Sequence, residues 1–90
     1  GRGDLSMSLG HPLERDHPAV LAAIDTIVAA CEKHGVAPGM ASTKLDEAEL
    51  SDNIDRGIRW IMFGTDRHIL LHGLKRGMTM FRTKSQSRVK

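Results

Sequence analysis

A short apolar run near the end of the chain constrains the fold more than any other feature of the sequence. The run covers residues 58–63, and glycines bound it on both sides, at Gly57 and Gly64. Only Arg59 interrupts its apolar character. Continuous apolar runs of this length are typical of parallel strands that are covered on both faces. The run therefore predicts a strand in a parallel sheet that lies between two layers.

A second apolar run, at residues 36–42, predicts a neighbouring strand. Pro38 falls near its start, where a missing backbone N–H disturbs a strand ladder least. Between residues 17 and 34, apolar residues recur at helical spacing, so we predict a helix there. Asp16 is a suitable cap for its first turn, and Gly35 follows its last turn, as is common at helix ends.

Two further helical patterns follow the two apolar runs. Residues 45–56 are acidic and polar, and the predicted inward side of this helix is formed by Leu45, Ala48 and Ile54. Thr65 and Asp66 are predicted to begin a last helix. Apolar residues at helical spacing support that helix as far as Phe81. The chain thus has three predicted amphipathic helices for two predicted strands.

The two ends of the chain have no comparable pattern. Residues 1–15 contain three glycines and one proline and predict a loop with at most one short turn. Residues 84–90 are basic, lack an apolar stripe and predict a disordered tail. We therefore place one structural unit at residues 1–83, in the order loop, helix, strand, helix, strand, helix.

This order predicts an α/β fold with parallel strands and crossover helices. Two strands do not suffice to cover three amphipathic helices. The chain is therefore expected either to be part of a larger barrel or to assemble with copies of itself. A homo-oligomer is the assembly that we predict.

The composition argues against several other classes of protein. No apolar run approaches the ~20 residues of a membrane span, so we predict no membrane partner. The net charge of +2 is too small to predict binding to nucleic acid, and the basic residues at positions 75–90 are interpreted as a solvated helix end. The single cysteine, Cys31, allows no internal disulfide and favours a reducing cytoplasm.

Residues 1–10, Gly-Arg-Gly-Asp-Leu-Ser-Met-Ser-Leu-Gly, resemble a segment of the HpcH/HpaI aldolase family. The family pattern there is G-x-x-D-L-[ST]-x-x-[LM]-G, and it follows the sixth strand of a (β/α)8 barrel. Three further segments at fitting spacing continue the resemblance: His17-Pro18, Gly35-x-Ala37-x-Gly39 and Phe63-Gly64-Thr65-Asp66. Together the four segments extend over most of the chain.

The resemblance implies that the chain is the C-terminal third of such a TIM barrel, from the end of strand 6 to helix 8. A complete barrel needs about 250 residues. Members of the family are divalent-metal-dependent lyases that cleave or form a carbon–carbon bond in 4-hydroxy-2-oxo acids through a pyruvate enolate. The implied partner is therefore a small 2-oxo acid with a pyruvate moiety.

Three residues match family positions that have a role in the site. Asp4 matches a metal ligand, Gly3 matches a residue whose backbone amide contacts the substrate carboxylate, and Ala41 stands where members often carry a larger apolar residue near the substrate. The implied cofactor is a divalent cation, Mg²⁺ in preference to Mn²⁺ or Co²⁺. The catalytic base, an arginine and a second metal-binding carboxylate are expected upstream, so the isolated chain is expected to be inactive.

Two alternatives stay open at this point. In the first, the chain is a non-catalytic association fragment whose apolar faces serve oligomerisation. In the second, it belongs to a citrate-lyase-like, malyl-CoA-lyase-like or decarboxylating relative, which would use the same enolate chemistry on a different substrate.

The other reactive residue types have structural interpretations. His17 is predicted to be a partner of the first turn of a helix, and Cys31 is predicted to lie in the core. His68 and His72 lie four residues apart without an apparent third metal ligand, and we assign them to a solvated helix face. Asp66 is assigned to helix capping in preference to shaping the site.

Overall fold

The computed structural model describes residues 1–42 and 46–88, which form helices, two short strands and the loops that join them. In chain order the elements are α1 Arg2–Ser8, α2 Pro18–Lys33, β1 Gly39–Ser42, α3 Glu47–Arg56, β2 Trp60–Phe63 and α4 Asp66–Gln86. β1 and β2 pair in parallel, and α3 lies between them in the chain. The predicted α/β order with parallel strands and a crossover helix is therefore confirmed. Leu45 and residues 89–90, which carried predictions, lie outside the described residues.

Helix α2 supplies most of the core. Val20, Ile24 and Val28 recur at intervals of four residues and are buried, and they pack with Met40 of β1 and with Ile58. This interval places the three α2 side chains on one side of the helix. Burying one such side chain contributes roughly 1.5–3 kcal/mol. The predicted helix is thereby confirmed, but its apolar stripe is only partly buried, because Ile27 is exposed and Cys31, which was predicted to lie in the core, is half-buried.

The N-terminal cap of α2 is His17, in place of the predicted Asp16. The Nδ1 atom of His17 accepts a hydrogen bond from the backbone N–H of Ala19 at 3.1 Å. Asp16 instead accepts a hydrogen bond from Arg2 at 3.3 Å. A carboxylate that is directed toward a guanidinium in this way does not turn back to the helix, which explains the difference. The prediction that His17 is a first-turn partner is confirmed.

The strand register places four residues on one face of the β1–β2 pair, namely Gly39, Ala41, Trp60 and Met62. Met40, on the opposite face, is buried against α2. Trp60, Met62 and Phe63 are each more than half exposed. The predicted burial of the second strand on both faces is therefore wrong within the described residues. Trp60 and Met62 are exposed on the face opposite Met40. Phe63, at the end of β2, lies on the same face as Met40 and is exposed as well.

The N-terminal segment is helical, which corrects the prediction of a loop. Helix α1 has no side-chain cap, but the Ser6 hydroxyl donates a hydrogen bond to the Gly3 carbonyl at 2.6 Å. Arg2 and Ser6, one turn apart, are buried, and Leu5 packs against the core. Gly10 has a φ of 78° just after the end of α1, a conformation that glycine adopts readily. Tertiary contacts thus stabilise a short helix that its glycine content disfavours.

Helix α3 turns a polar side toward the interior. Asn53 is fully buried, whereas Ala48 and Ile54 are exposed, so the predicted inward position of the latter two is wrong. Within the described residues, neither side-chain polar atom of Asn53 has a hydrogen-bond partner. An ion pair between Arg56 and Asp25 joins α3 to α2. This polar contact, rather than an apolar stripe, accounts for the orientation of the helix.

Helix α4 begins as predicted and extends further than predicted. The Thr65 hydroxyl accepts a hydrogen bond from the backbone N–H of His68 at 3.4 Å. The helix runs to Gln86, so residues 84–86, which were predicted to belong to a disordered tail, are helical. Once a helix has formed, each added residue gains one backbone hydrogen bond. In addition, Lys84 interacts favourably with the helix dipole in the last turn.

Helix α4 buries none of its residues and presents a large apolar surface. Its exposed apolar residues are Ile69, Leu70, Leu71, Leu74, Met78, Met80 and Phe81. Extended surfaces of this kind are typical of interaction sites. In the part of the chain that the structure describes, no helix combines the length and apolar character that crossing a bilayer requires.

The substitution Gly39→Ala is expected to displace the indole of Trp60. A Cβ atom at residue 39 would overlap the indole ring, which lies across the glycine. Overpacking of this kind typically costs about 1–3 kcal/mol of the free energy of unfolding. Because Trp60 is the single tryptophan, the emission maximum of the chain reports the movement directly.

Gly73→Ala is the matched control, since nothing lies within 4 Å of a Cβ atom at this helical position. It should leave the emission maximum unchanged and stabilise α4 by about 0.5–1 kcal/mol. An unchanged emission maximum in Gly39→Ala would show that the indole does not lie across β1.

Candidate functional site

Asp4 lies in the first turn of α1 with its side chain exposed. Its Oδ2 atom lies beside the backbone of Gly1, since a Cβ atom at that glycine would be 3.2 Å away from it. The carboxylate makes no hydrogen bond and no ion pair with residues 1–42 or 46–88. Asp4 is therefore an unpaired negative charge that is accessible to an external partner.

A groove of about 410 Å³ lies beside Asp4, between α1, α2 and the start of β1. Its walls are largely apolar and include Ile24, Ile27 and Met40. The polar residues that line it from α1 are Arg2, Asp4 and Ser8. A cleft with apolar walls and a few polar groups is the usual form of a small-molecule site.

The three predicted site residues do not converge on this groove. Asp4 lines it, whereas Gly3 and Ala41 do not. Ala41 is half-buried and points to the face of β1 opposite Met40, because side chains alternate along a strand. The described residues thus place one of the three predicted contacts at the groove and leave the other two beside it.

The available metal ligands form an incomplete set. Within the described ranges, no group of three His, Cys, Asp or Glu side chains could hold a metal ion. Asp4 therefore supplies a single ligand. Mg²⁺ keeps several waters and is commonly bound through one or two carboxylates together with oxygens of the substrate. The oxygen donor of Asp4 fits one ligand position of such a site, and the other ligands must come from groups outside these residues.

Arg2 lies next to the candidate ligand and is almost entirely buried. Its side chain is only 2% exposed. Nη1 lies 3.3 Å from Oδ1 of Asp16, in the loop before α2, and Nη2 lies 3.7 Å from Oδ2 of Asp52, on α3. Within the described residues, Nε and Nη2 have no hydrogen-bond partner. The attraction between Arg2 and Asp52 is therefore ionic rather than a formed hydrogen bond.

Arg56 continues this charged network from α3 to α2. Its Nε donates a hydrogen bond to Asp52 at 2.9 Å, and its Nη1 donates to the two carboxylate oxygens of Asp25 at 2.9 and 3.0 Å. The hydrogen bonds to Asp52 and Asp25 raise the pKa of Arg56 above its ordinary value, with Asp52 as the largest cause. The pKa of Arg56 is higher in the folded state than in the unfolded state. Its hydrogen bonds therefore stabilise the fold fully at a pH below the ordinary arginine pKa, and this stabilisation is lost only as the pH rises above that value. It is thus constant at physiological pH.

The burial of Arg2 and its ion pairs with two carboxylates were not predicted from the sequence. The pair Arg56–Asp52 has the i, i+4 spacing that favours contact on one helix, so a local signal for it existed. Arg2 and Asp16 are separated by a loop, and Asp25 and Arg56 by 31 positions. No periodicity in the sequence reports contacts of this kind.

The histidines pack locally. The rings of His11 and His17 stack with their centroids 3.5 Å apart, and Nδ1 of His11 lies 3.3 Å from a carboxylate oxygen of Glu14. His68 lies 2.8 Å from the Thr65 hydroxyl through its Nδ1. Asp66 is the first residue of α4 and accepts a hydrogen bond from the backbone N–H of Arg67 at 2.8 Å. Thr65, rather than Asp66, is thus the N-cap, although Asp66 does bind the first turn.

Two relatives resemble nearly the whole chain. A hydroxypyruvate/pyruvate aldolase of Paraburkholderia phytofirmans (strain DSM 17436 / LMG 22146 / PsJN) is 32% identical over 83 residues, which are 92% of this chain and 31% of that protein. The crystal structure of a HpcH/HpaI aldolase/citrate lyase family protein from Burkholderia cenocepacia J2315 matches with a TM-score of 0.82 at 32% identity, over 91% of this chain and 31% of that one. This chain is therefore similar in sequence and fold to HpcH/HpaI aldolases over part of their length.

A third comparison agrees in fold. A HpcH/HpaI aldolase from Desulfitobacterium hafniense DCB-2 has a TM-score of 0.76 and 24% identity over 91% of this chain and 31% of that one. No family model matches the chain. The chain spans about a third of the length of these relatives, so the likeness concerns that part of them alone.

The substitution Arg56→Gln is expected to destabilise the packing of α3 on α2. It removes three hydrogen bonds to carboxylates and leaves Asp25 without its partner. Because the pairs are partly exposed, we expect the free energy of unfolding in urea to fall by only about 1–2 kcal/mol.

Arg76→Gln removes the same charge from α4, where the arginine is exposed and makes no side-chain contact with the described residues. It should change the free energy of unfolding by less than about 0.5 kcal/mol. Equal effects of the two substitutions would contradict a stabilising role for the Arg56 network.

Proposed function

We propose that the chain belongs to a divalent-metal-dependent lyase that cleaves or forms a carbon–carbon bond in 4-hydroxy-2-oxo acids. The observation that carries the proposal is the carboxylate of Asp4, which is exposed at an apolar groove and has no partner in the described part of the chain. The relationship to proteins named as aldolases supports the reaction class.

The chemistry requires stabilisation of negative charge on a 2-oxo group, because cleavage of the adjacent carbon–carbon bond leaves electrons there. A divalent cation, when bound, supplies this stabilisation as a Lewis acid. Asp4 is the proposed ligand, and we propose Mg²⁺ in preference to Mn²⁺ or Co²⁺. Gly3 is the second residue of α1, so its backbone N–H has no acceptor within the helix. We assign that N–H to the carboxylate of the substrate.

Ala41 is the proposed contact to the aldehyde part of the substrate. It is half-buried and shares its face of the sheet with Met62, its partner in the strand register. The small side chain leaves space on that face which a larger apolar residue would fill. In this proposal Gly3 and Ala41 contact the substrate, but neither residue transfers a proton in the reaction.

The proposed protein is larger than this chain. We propose that residues 1–83 form the C-terminal third of a (β/α)8 barrel in a cytoplasmic homo-oligomer, and that the base, an arginine and a second metal-binding carboxylate come from the preceding part. The open edges of the two-stranded sheet and the exposed apolar surface of α4 support this proposal, because both need further polypeptide to cover them.

Two further candidates rest on particular observations. A non-catalytic association fragment is favoured by the apolar surface of α4, and in that case Asp4 would be dispensable. A citrate-lyase-like substrate is favoured by the relative from Burkholderia cenocepacia, which is described as an aldolase/citrate lyase family protein.

The substitution Asp4→Asn tests the proposal in the full-length protein that carries this chain. It keeps the size of the side chain and removes the charge that attracts the cation. We expect weaker Mg²⁺ binding by calorimetry and a loss of about 10²–10³ in the turnover of a 4-hydroxy-2-oxo acid to pyruvate. The melting temperature should hardly change, since the exposed carboxylate has no partner among the described residues.

Asp55→Asn is the control, because Asp55 is an exposed carboxylate on α3 that also lacks a partner in the described ranges. It should leave metal affinity and turnover at their original values. Normal metal binding by Asp4→Asn would remove Asp4 from the proposed site.

A further inference from the structure

The orientation of Asp4 depends on the orientation of α1, and that helix has little of its own to hold it in place. It has seven residues and no side-chain cap. Isolated helices of this length are unstable in water, so contacts with the rest of the molecule must determine how α1 is rotated about its axis.

Arg2 makes the ionic contacts of α1 with the rest of the described chain. In a helix, residues two positions apart point in directions about 200° apart, so the side chains of Arg2 and Asp4 leave α1 in nearly opposite directions, although both residues line the groove. Arg2 is accordingly buried and Asp4 exposed. Whatever fixes the direction of the Arg2 side chain therefore also fixes the direction in which Asp4 projects.

The guanidinium of Arg2 is held between two carboxylates on different elements. Asp16 precedes α2, and Asp52 lies on α3. A buried guanidinium that lost both partners would be strongly unfavourable, so α1 cannot rotate freely without breaking these ion pairs. The arrangement connects α1 to the loop before α2 and to α3.

From this geometry we infer that Arg2 is a positioning residue, which orients the carboxylate of Asp4 toward the bound cation through its ion pairs with Asp16 and Asp52. Arg2 does not contact the cation or the substrate in this assignment. The inference rests on the proposed function, because it requires Asp4 to be a metal ligand.

The test is the affinity of the full-length protein for Mn²⁺ alone, measured by electron paramagnetic resonance well below the melting temperature. Arg2→Met removes both ion pairs and is expected to weaken Mn²⁺ binding by about 10- to 100-fold, the usual effect of losing a group that orients a ligand. Arg2→Lys keeps the positive charge but lacks the planar guanidinium group. It is therefore expected to bind Mn²⁺ more tightly than Arg2→Met and less tightly than the unaltered protein.

Asp25→Asn controls for a general loss of stability. It breaks the ion pair between α2 and α3 without touching a partner of Arg2. It should lower the melting temperature and leave Mn²⁺ affinity unchanged. If it weakens Mn²⁺ binding as much as Arg2→Met does, the inference is wrong, because destabilisation alone would then explain the loss.

The remaining outcomes separate the inference from the proposed function. Normal Mn²⁺ affinity in Arg2→Met, together with a loss in Asp4→Asn, overturns the positioning role and leaves Asp4 as a ligand. Normal affinity in both variants overturns the proposed function as well. If Arg2→Met does not fold, Asp16→Asn decides the question, since it removes one ion pair from an exposed carboxylate. If Asp16→Asn weakens Mn²⁺ binding by less than the loss expected for Arg2→Met, the inference is supported. An unchanged Mn²⁺ affinity in Asp16→Asn contradicts it.

Discussion

The parallel pairing of β1 with β2 is the interaction on which the rest of the structure depends. Parallel strands cannot be joined by a tight turn, so α3 crosses between their ends. Helix α2 packs on the pair through Met40 and Ile58, and an ion pair attaches α3 to α2. Helix α2 therefore lies on the side of the sheet to which Met40 points. The exposure of Trp60 and Met62 on the other side follows directly from this arrangement.

Ion pairs connect α1 and α3 to other elements of the molecule. Helix α3 turns Asn53 inward, and no apolar residue of its described part is buried. Its position depends on the series of ion pairs that begins at Asp16 and passes through Arg2, Asp52 and Arg56 to Asp25. The hydrogen bonds of Arg56 give its part of this network a defined geometry, because guanidinium groups bind carboxylates in fixed directions. It also connects the candidate metal ligand to the frame of the molecule.

The features that could be predicted from the sequence are those with a local cause. Helix α2 was predictable because its buried residues recur every four positions and Gly35 follows its end. The start of α4 at Thr65 has an equally local signal. Helix α1 was missed because Gly3 argues against a helix, whereas the contacts that stabilise it come from distant elements. The exposure of β2 could not be derived from its composition, since burial depends on what else packs there.

In the candidate site, too, features with a local cause could be predicted from the sequence, whereas contacts between distant residues could not. Asp4 could be proposed as a site residue from the motif that surrounds it, because the motif is contiguous. The role of Arg2, two positions earlier, could not, since it depends on Asp16 and Asp52 being brought together by folding. The separation of Ala41 from the groove also follows from strand alternation and register rather than from its place in the sequence.

The central claim is that this chain is one part of a larger α/β body, whose uncovered apolar surface requires further polypeptide. Sedimentation velocity on the purified 90-residue chain tests this most directly, over a range of concentrations. The account predicts species heavier than the 9.9 kDa of one chain, with a distribution that shifts to larger mass as the concentration rises. A compact monomer of 9.9 kDa at every concentration would contradict it.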